Sequence, residues 1–113
     1  MALNPIKLPW HDIQTVFLDM DGTLLDLHFD NHFWLEHLPN RLADKRGATP
    51  EEIRTYLHNR YTEMEGTLEW YCLDYWQQHL DVDLVALKHE IADRIAIRAQ
   101  VKHFLQHLRQ RGK

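Results

Sequence analysis

Apolar positions along the chain follow two patterns. Near the N-terminus, Thr15-Val16-Phe17-Leu18 is a continuous β-branched and aromatic run that ends in Asp19-Met20-Asp21-Gly22-Thr23. Such a run, closed by a glycine turn, reads as a buried parallel strand, because both faces of that strand type are covered and alternation is not required. No other segment reads convincingly as a strand. Beyond it, apolar positions recur at helical spacing.

Asn31 to Leu38 carries Phe33, Trp34 and Leu38, with Pro39 expected to close the helix and Arg41 to Gly47 to form a basic loop. Thr49-Pro50-Glu51-Glu52 is a helix start: Thr49 accepts amide hydrogens, Pro50 loses nothing at the first helical position, and Glu52 completes a capping box. Ile53, Tyr56, Leu57, Tyr61 and Met64 follow on one side, and Gly66 ends the run. Thr67 is expected to cap a helix with Trp70, Leu73, Trp76 and Leu80 on one stripe and Cys72, Tyr75 and His79 beside it. Asp83 caps a third helix carrying Leu84, Leu87, Ile91 and Ile95. A last helix, Gln100 to Arg111, turns Val101, Phe104, Leu105 and Leu108 inward and stops near Gly112. The helices from Pro50 to Ile95 are able to bury their stripes against one another, whereas a lone buried-type strand leaves backbone groups unpaired on both edges. Another chain, self-association or further sequence is expected to supply its neighbours.

With 113 residues, 44% apolar and 27% charged, the chain suits one globular domain and is too apolar for disorder. The net charge of -4 gives no basic field for nucleic acid or an acidic membrane surface. Arg41, Lys45 and Arg46 are a poor footprint for either, and a solvated loop is the preferred account of them. The single cysteine, Cys72, has no internal disulfide partner and is expected to be a small buried apolar residue. No stretch approaches the roughly 20 apolar residues that cross a bilayer, so a cytoplasmic protein is expected.

The chemistry sits at the end of the strand. Asp19 and Asp21 flank Met20 in a turn that Gly22 permits. Two carboxylates that close repel unless a proton or cation intervenes, and Mg²⁺, a hard cation that takes oxygen ligands, relieves the repulsion. One aspartate is suited to attack phosphorus while the other handles the leaving-group proton and then activates water. Thr23 adds a hydroxyl and a backbone N–H for a phosphoryl oxygen, and Gly22 allows close approach of the backbone. The plainer reading is an acidic turn, but ligand sites of open α/β sheets lie at the carboxyl ends of strands.

Val16-Phe17-Leu18-Asp19-Met20-Asp21-Gly22-Thr23-Leu24-Leu25-Asp26 resembles the first signature motif of the haloacid-dehalogenase-like hydrolases. The resemblance implies an α/β, Rossmann-like core, here represented by its first parallel strand, with an inserted α-helical cap. Residues 1–27 would be core strand and catalytic loop, 28–97 the cap and 98–113 the return helix. It makes Asp19 nucleophile and Mg²⁺ ligand, Asp21 general acid and base with its carbonyl on the metal, and Thr23, with Gly22, the phosphoryl-positioning pair. Dehalogenases of the family generally lack the second aspartate, so Asp21 favours phosphatase or phosphomutase chemistry. Leu18 to Leu27 with Phe29-Asp30-Asn31, and Trp70 to Trp76, further resemble the bacterial nucleotidases that remove the 5′-phosphate of GMP and IMP. A sugar-phosphate phosphatase of the same superfamily and a non-catalytic, partner-dependent helical module are the alternatives. The family's second-motif Ser or Thr, third-motif Lys and fourth-motif acidic ligands have no counterparts up to Lys113. The 113 residues alone are therefore expected to be inactive.

Nine histidines include two pairs at helical spacing, His28 with His32 and His103 with His107. Neither has an evident third or fourth ligand, so solvated or capping roles are expected rather than zinc. Trp70, Tyr71, Tyr75 and Trp76 suit a base-stacking platform, but core packing is the commoner use of such spacing. Asp26, Phe29, Asp30 and Asn31 are candidates to line the cleft, with Asp30 alternatively a helix cap.

Overall fold

A computed structural model describes residues 4–113. These residues are mostly helical and divide into two compact units, Leu27–Ala96 and the described residues up to Asp26 together with Ile97–Lys113.

The unit Leu27–Ala96 begins with a helical stretch made of α1 (His28–His32), a π-helical turn (Phe33–His37) and α2 (Leu38–Arg46). Pro39 does not close the helix. A proline inside an α-helix lacks an N–H and drives its ring toward the carbonyl four residues back. Here the helix widens just before it, the Leu38 N–H bonding to the Phe33 carbonyl five residues back, so the axis continues past the proline. The segment expected as a basic loop is consequently the C-terminal part of α2, ended by Gly47 at φ 65°. Its cations serve packing: Arg41 pairs with Glu90 at 3.2 Å, Lys45 with Asp81 at 3.4 Å, and Arg46 donates to the Leu80 carbonyl at 3.1 Å.

α3 (Pro50–Met64) opens with the full capping box: the Glu52 N–H donates to Thr49 Oγ1 at 3.3 Å, and the Thr49 N–H donates to Glu52 Oε2 at 3.1 Å. Thr67 caps nothing. Its hydroxyl donates back to the Met64 carbonyl at 2.6 Å, and a 3₁₀ turn (Glu69–Tyr71) precedes α4 (Leu73–Leu80). Trp70 thus lies ahead of the helix expected to contain it, and Cys72 is exposed at the boundary instead of buried. α5 (Leu84–Glu90) is capped by Asp83, whose Oδ1 accepts the Ala86 N–H at 3.0 Å. The helix stops before Ile95, which is exposed after a second 3₁₀ turn (Ala92–Arg94).

The core of this unit gathers Phe33, Leu38, Leu42, Ile53, Leu57, Trp76, Leu80 and Leu84, supplied by the π turn and α2 to α5. Around Trp76, 2% exposed, ring centroids lie at 6.1 Å (Trp34), 5.5 Å (Tyr61), 6.4 Å (Trp70) and 5.3 Å (Tyr75), each pair edge to face, an arrangement favoured by the ring quadrupoles. The Trp76 indole N–H donates to the Trp70 carbonyl at 3.2 Å. Core packing is therefore what Trp76 does, with Trp70 partly buried against it.

Tyr61 donates its hydroxyl to the Trp34 carbonyl at 3.0 Å, and burial pushes its pKa above the ordinary tyrosine value. A raised folded-state pKa means that stability is whole below the unfolded value of about 10 and declines as pH rises past it, since the unfolded chain gives up the proton first. Tyr61→Phe should remove up to about 1.4 kcal/mol per pH unit of this alkaline decline, while costing about 1 kcal/mol at neutral pH for the lost hydrogen bond. Unfolding free energies measured across this alkaline window check it; equal slopes in both proteins would refute the assignment.

The second unit holds α6 (Val101–Gln110) and the segment expected as the first strand. No strand forms among the described residues. Thr15 to Asp19 enters no ladder, and two isolated bridges, Asp21 with Leu25 and Leu25 with Ile97, are the only β pairing there. Parallel strands are held by hydrogen bonds to neighbouring strands, and none of the described segments provides one beside Phe17, which is 94% exposed. On α6, Leu108 is buried as expected, but Phe104 and Leu105 are partly exposed.

Candidate active site

Met20 to Leu25 forms a closed loop built from its own backbone. The Met20 carbonyl accepts the N–H groups of Thr23 (3.3 Å), Leu24 (3.0 Å) and Leu25 (2.9 Å), and the Gly22 N–H donates to the Leu25 carbonyl at 2.9 Å. The chain reverses within these few residues because Gly22 takes φ 80°, a left-handed conformation that costs glycine little. The bridge between Asp21 and Leu25 uses the groups flanking Asp21, namely the Met20 carbonyl and the Gly22 N–H.

Asp19 and Asp21 are exposed at the start of this loop, on either side of Met20, and Thr23 is exposed on the same loop. The structure thus sets the four sequence-predicted residues in one tight turn. It differs over Thr23, whose N–H is directed to Met20 and is committed to the turn, which leaves the hydroxyl as its polar group for a ligand.

The sequence reading passed over Arg98. Its Nη1 donates to the Gly22 carbonyl at 2.6 Å, its backbone N–H donates to the Leu24 carbonyl at 3.0 Å, and its neighbour Ile97 bridges to Leu25. The one signal for it in sequence is a basic residue just ahead of the last helix, which is too common to single out.

The other candidates lie on other elements. On α1 and the π turn, the rings of His28, His32 and His37 follow one another with centroids 6.0 and 6.5 Å apart, and Arg94 Nη1 lies 3.3 Å from His28 Nε2. Desolvation of the His32 ring, then the positive charges of Arg94, His28 and His37, holds its pKa below the usual histidine value. Asp30 caps no helix; its Oδ1 accepts the Trp34 indole N–H at 3.2 Å and lies 3.6 Å from Lys88 Nζ. The His103 and His107 rings lie 4.3 Å apart on α6. Among the described residues no group of three or more His, Cys, Asp or Glu side chains is placed to hold a metal. Nor is any helix among them long and apolar enough to cross a membrane.

Asp19 and Asp21 are thus an exposed pair of carboxylates on a glycine turn closed by its own backbone. Over 108 residues, 96% of its length, the chain is 44% identical to curated proteins of the haloacid-dehalogenase-like family. The relatives are GMP/IMP nucleotidase YrfG of Escherichia coli (strain K12) and GMP/IMP nucleotidase YrfG of Shigella flexneri, with the same identity to each. The match covers 49% of each relative, so the chain spans about half the length of the curated relatives it matches. No protein-family model matches the chain, and no solved structure does.

The donor set suits Mg²⁺ in kind. Asp19 offers a hard carboxylate oxygen and Asp21 a backbone carbonyl oxygen, and Mg²⁺ is commonly held by one or two carboxylates, with water and substrate phosphate completing its octahedron.

Proposed function

We propose that this chain carries the nucleophile loop and helical cap of a Mg²⁺-dependent phosphomonoester hydrolase that acts on purine nucleoside 5′-monophosphates, GMP and IMP. The observation that carries the reading is the pair of exposed carboxylates, Asp19 and Asp21, on the backbone-locked turn Met20 to Leu25. The printed activity of the relatives supplies the substrate class. In this reading Thr15 to Asp19 is the first strand of an α/β core, and the unit Leu27–Ala96 is the lid.

Asp19 attacks phosphorus; a bond forms from its carboxylate oxygen to phosphorus, and the bond from phosphorus to the 5′-oxygen breaks. Asp21 gives its proton to that departing oxygen, then takes one from the water that attacks the aspartyl-phosphate and frees inorganic phosphate. Thr23 holds a phosphoryl oxygen through its hydroxyl, and the glycine at 22 lets the backbone come close. The Asp19 carboxylate and the Asp21 carbonyl would hold Mg²⁺, which would supply charge neutralisation for the phosphoryl group. Because the later lysine and acidic groups of the family are unassigned within residues 1–113, these residues by themselves are proposed to lack turnover. A cytoplasmic setting goes with the reading, supported by a lone Cys72 with no internal disulfide partner.

The test joins this chain to the part of the Escherichia coli relative that the match leaves uncovered, and measures phosphate release with Mg²⁺ from nucleoside monophosphates and sugar phosphates. GMP and IMP should be the preferred esters. Equal or better use of sugar phosphates would reject the nucleotide assignment. No release from any ester would reject the hydrolase and favour a partner-dependent module, the reading to which the exposed Phe17 also points.

A further inference from the structure

The nucleophile loop is closed at one end by its own backbone and at the other by a residue distant in sequence. Arg98 meets the loop through two hydrogen bonds, from its guanidinium to the Gly22 carbonyl and from its amide to the Leu24 carbonyl, while Ile97 pairs with Leu25. The Gly22 carbonyl belongs to the Gly22-Thr23 peptide, which lies between Asp21 and the Thr23 side chain. Gly22 is also the residue whose φ of 80° reverses the chain, so a donor on its carbonyl restrains the rotation that would re-aim Asp21 and Thr23. A guanidinium is suited to this because it is permanently charged and planar, and its bond to the carbonyl is charge-assisted.

We propose that Arg98 is a positioning residue, which ties the segment ahead of α6 to the loop and holds the Gly22-Thr23 peptide, and with it the turn that aims Asp21 and Thr23, in the orientation that catalysis needs. The clamp stands on the geometry alone; its catalytic consequence rests on the hydrolase reading above. Misplacing a reacting group by about 1 Å costs up to about a hundredfold in rate. Loss of the clamp should therefore appear in kcat rather than in KM.

Two measurements on Arg98→Gln and Arg98→Lys test it. In this chain, amide hydrogen exchange at Gly22, Leu24 and Leu25 should speed up by about tenfold in Arg98→Gln, with amides of α3 unchanged, and Arg98→Lys should recover part of the protection. Unchanged exchange at the loop would overturn the clamp. In the joined protein described above, Arg98→Gln should lower kcat about ten- to a hundredfold with KM within about threefold, and Arg98→Lys should restore part of kcat. A loosened loop with unaltered kcat would overturn the catalytic role. Absence of phosphate release with Arg98 intact would fell the hydrolase reading and that catalytic role with it, while the exchange data still decide the clamp.

Discussion

Asp19→Asn in the joined protein lowers kcat for phosphate release from GMP and IMP by about 10⁴-fold or more, with folding unaffected. The magnitude follows from the role: an amide oxygen is too weak a nucleophile to form the acyl-phosphate, and removing a covalent nucleophile typically leaves only binding and electrostatic assistance. Folding is spared because the Asp19 side chain is exposed and the loop is closed by backbone groups of Met20, Gly22 and Leu25. Asp21→Asn should cost less, about 10² to 10⁴-fold, the usual range for a general acid and base. Phosphate release and circular dichroism on the same preparations check both. Normal turnover in Asp19→Asn would remove the nucleophile from this position.

Trp76→Ala destabilises the unit Leu27–Ala96 by about 3–5 kcal/mol, the usual range for deleting a buried large aromatic side chain. Four rings meet Trp76 edge to face, and its removal leaves a cavity lined by Trp34, Tyr61, Trp70 and Tyr75. For a unit of this size the loss corresponds to a fall in melting temperature of about 12 °C or more. Trp76→Phe keeps most of the volume and loses the indole bond to the Trp70 carbonyl, so it should cost about 1–2 kcal/mol. Thermal or urea unfolding of the two variants decides the matter. Equal effects would mean that the hydrogen bond, rather than packing, fixes this tryptophan.

Features legible in the sequence were those set within a few residues. The capping box at Thr49 and Glu52 and the Asp83 cap depend on side chains reaching amides three positions away, and both form as read. Trp76 as core followed from helical spacing. Pro39 misled because the rule that proline ends a helix assumes α-helical register behind it, and the π turn changes that register. Thr67 misled because a hydroxyl able to cap a following helix is equally able to donate back to the preceding one.

The acidic loop was legible as a motif, since its residue types and spacing lie within five positions. Its fastening was not: Arg98 and Gly22 are 76 residues apart in sequence, and no local pattern announces that contact. Strand formation over Thr15 to Asp19 has the same non-local character, because β-branched composition favours an extended backbone but only a neighbour completes a ladder.

The π turn at Phe33–His37 amounts to one residue more than an α-helix would hold over the same rise. Each α-helical residue advances the chain by about 100° around the axis. An extra residue in an unbroken α-helix would therefore swing Leu38, Leu42 and Ala43 a quarter turn or more away from the interior they fill, whereas the wide turn absorbs it and keeps them inward. The spare amino acid is taken up within a single turn, so a one-residue deletion inside Phe33–His37 would leave the angular phase of α2 as it is, while one within α2 would not.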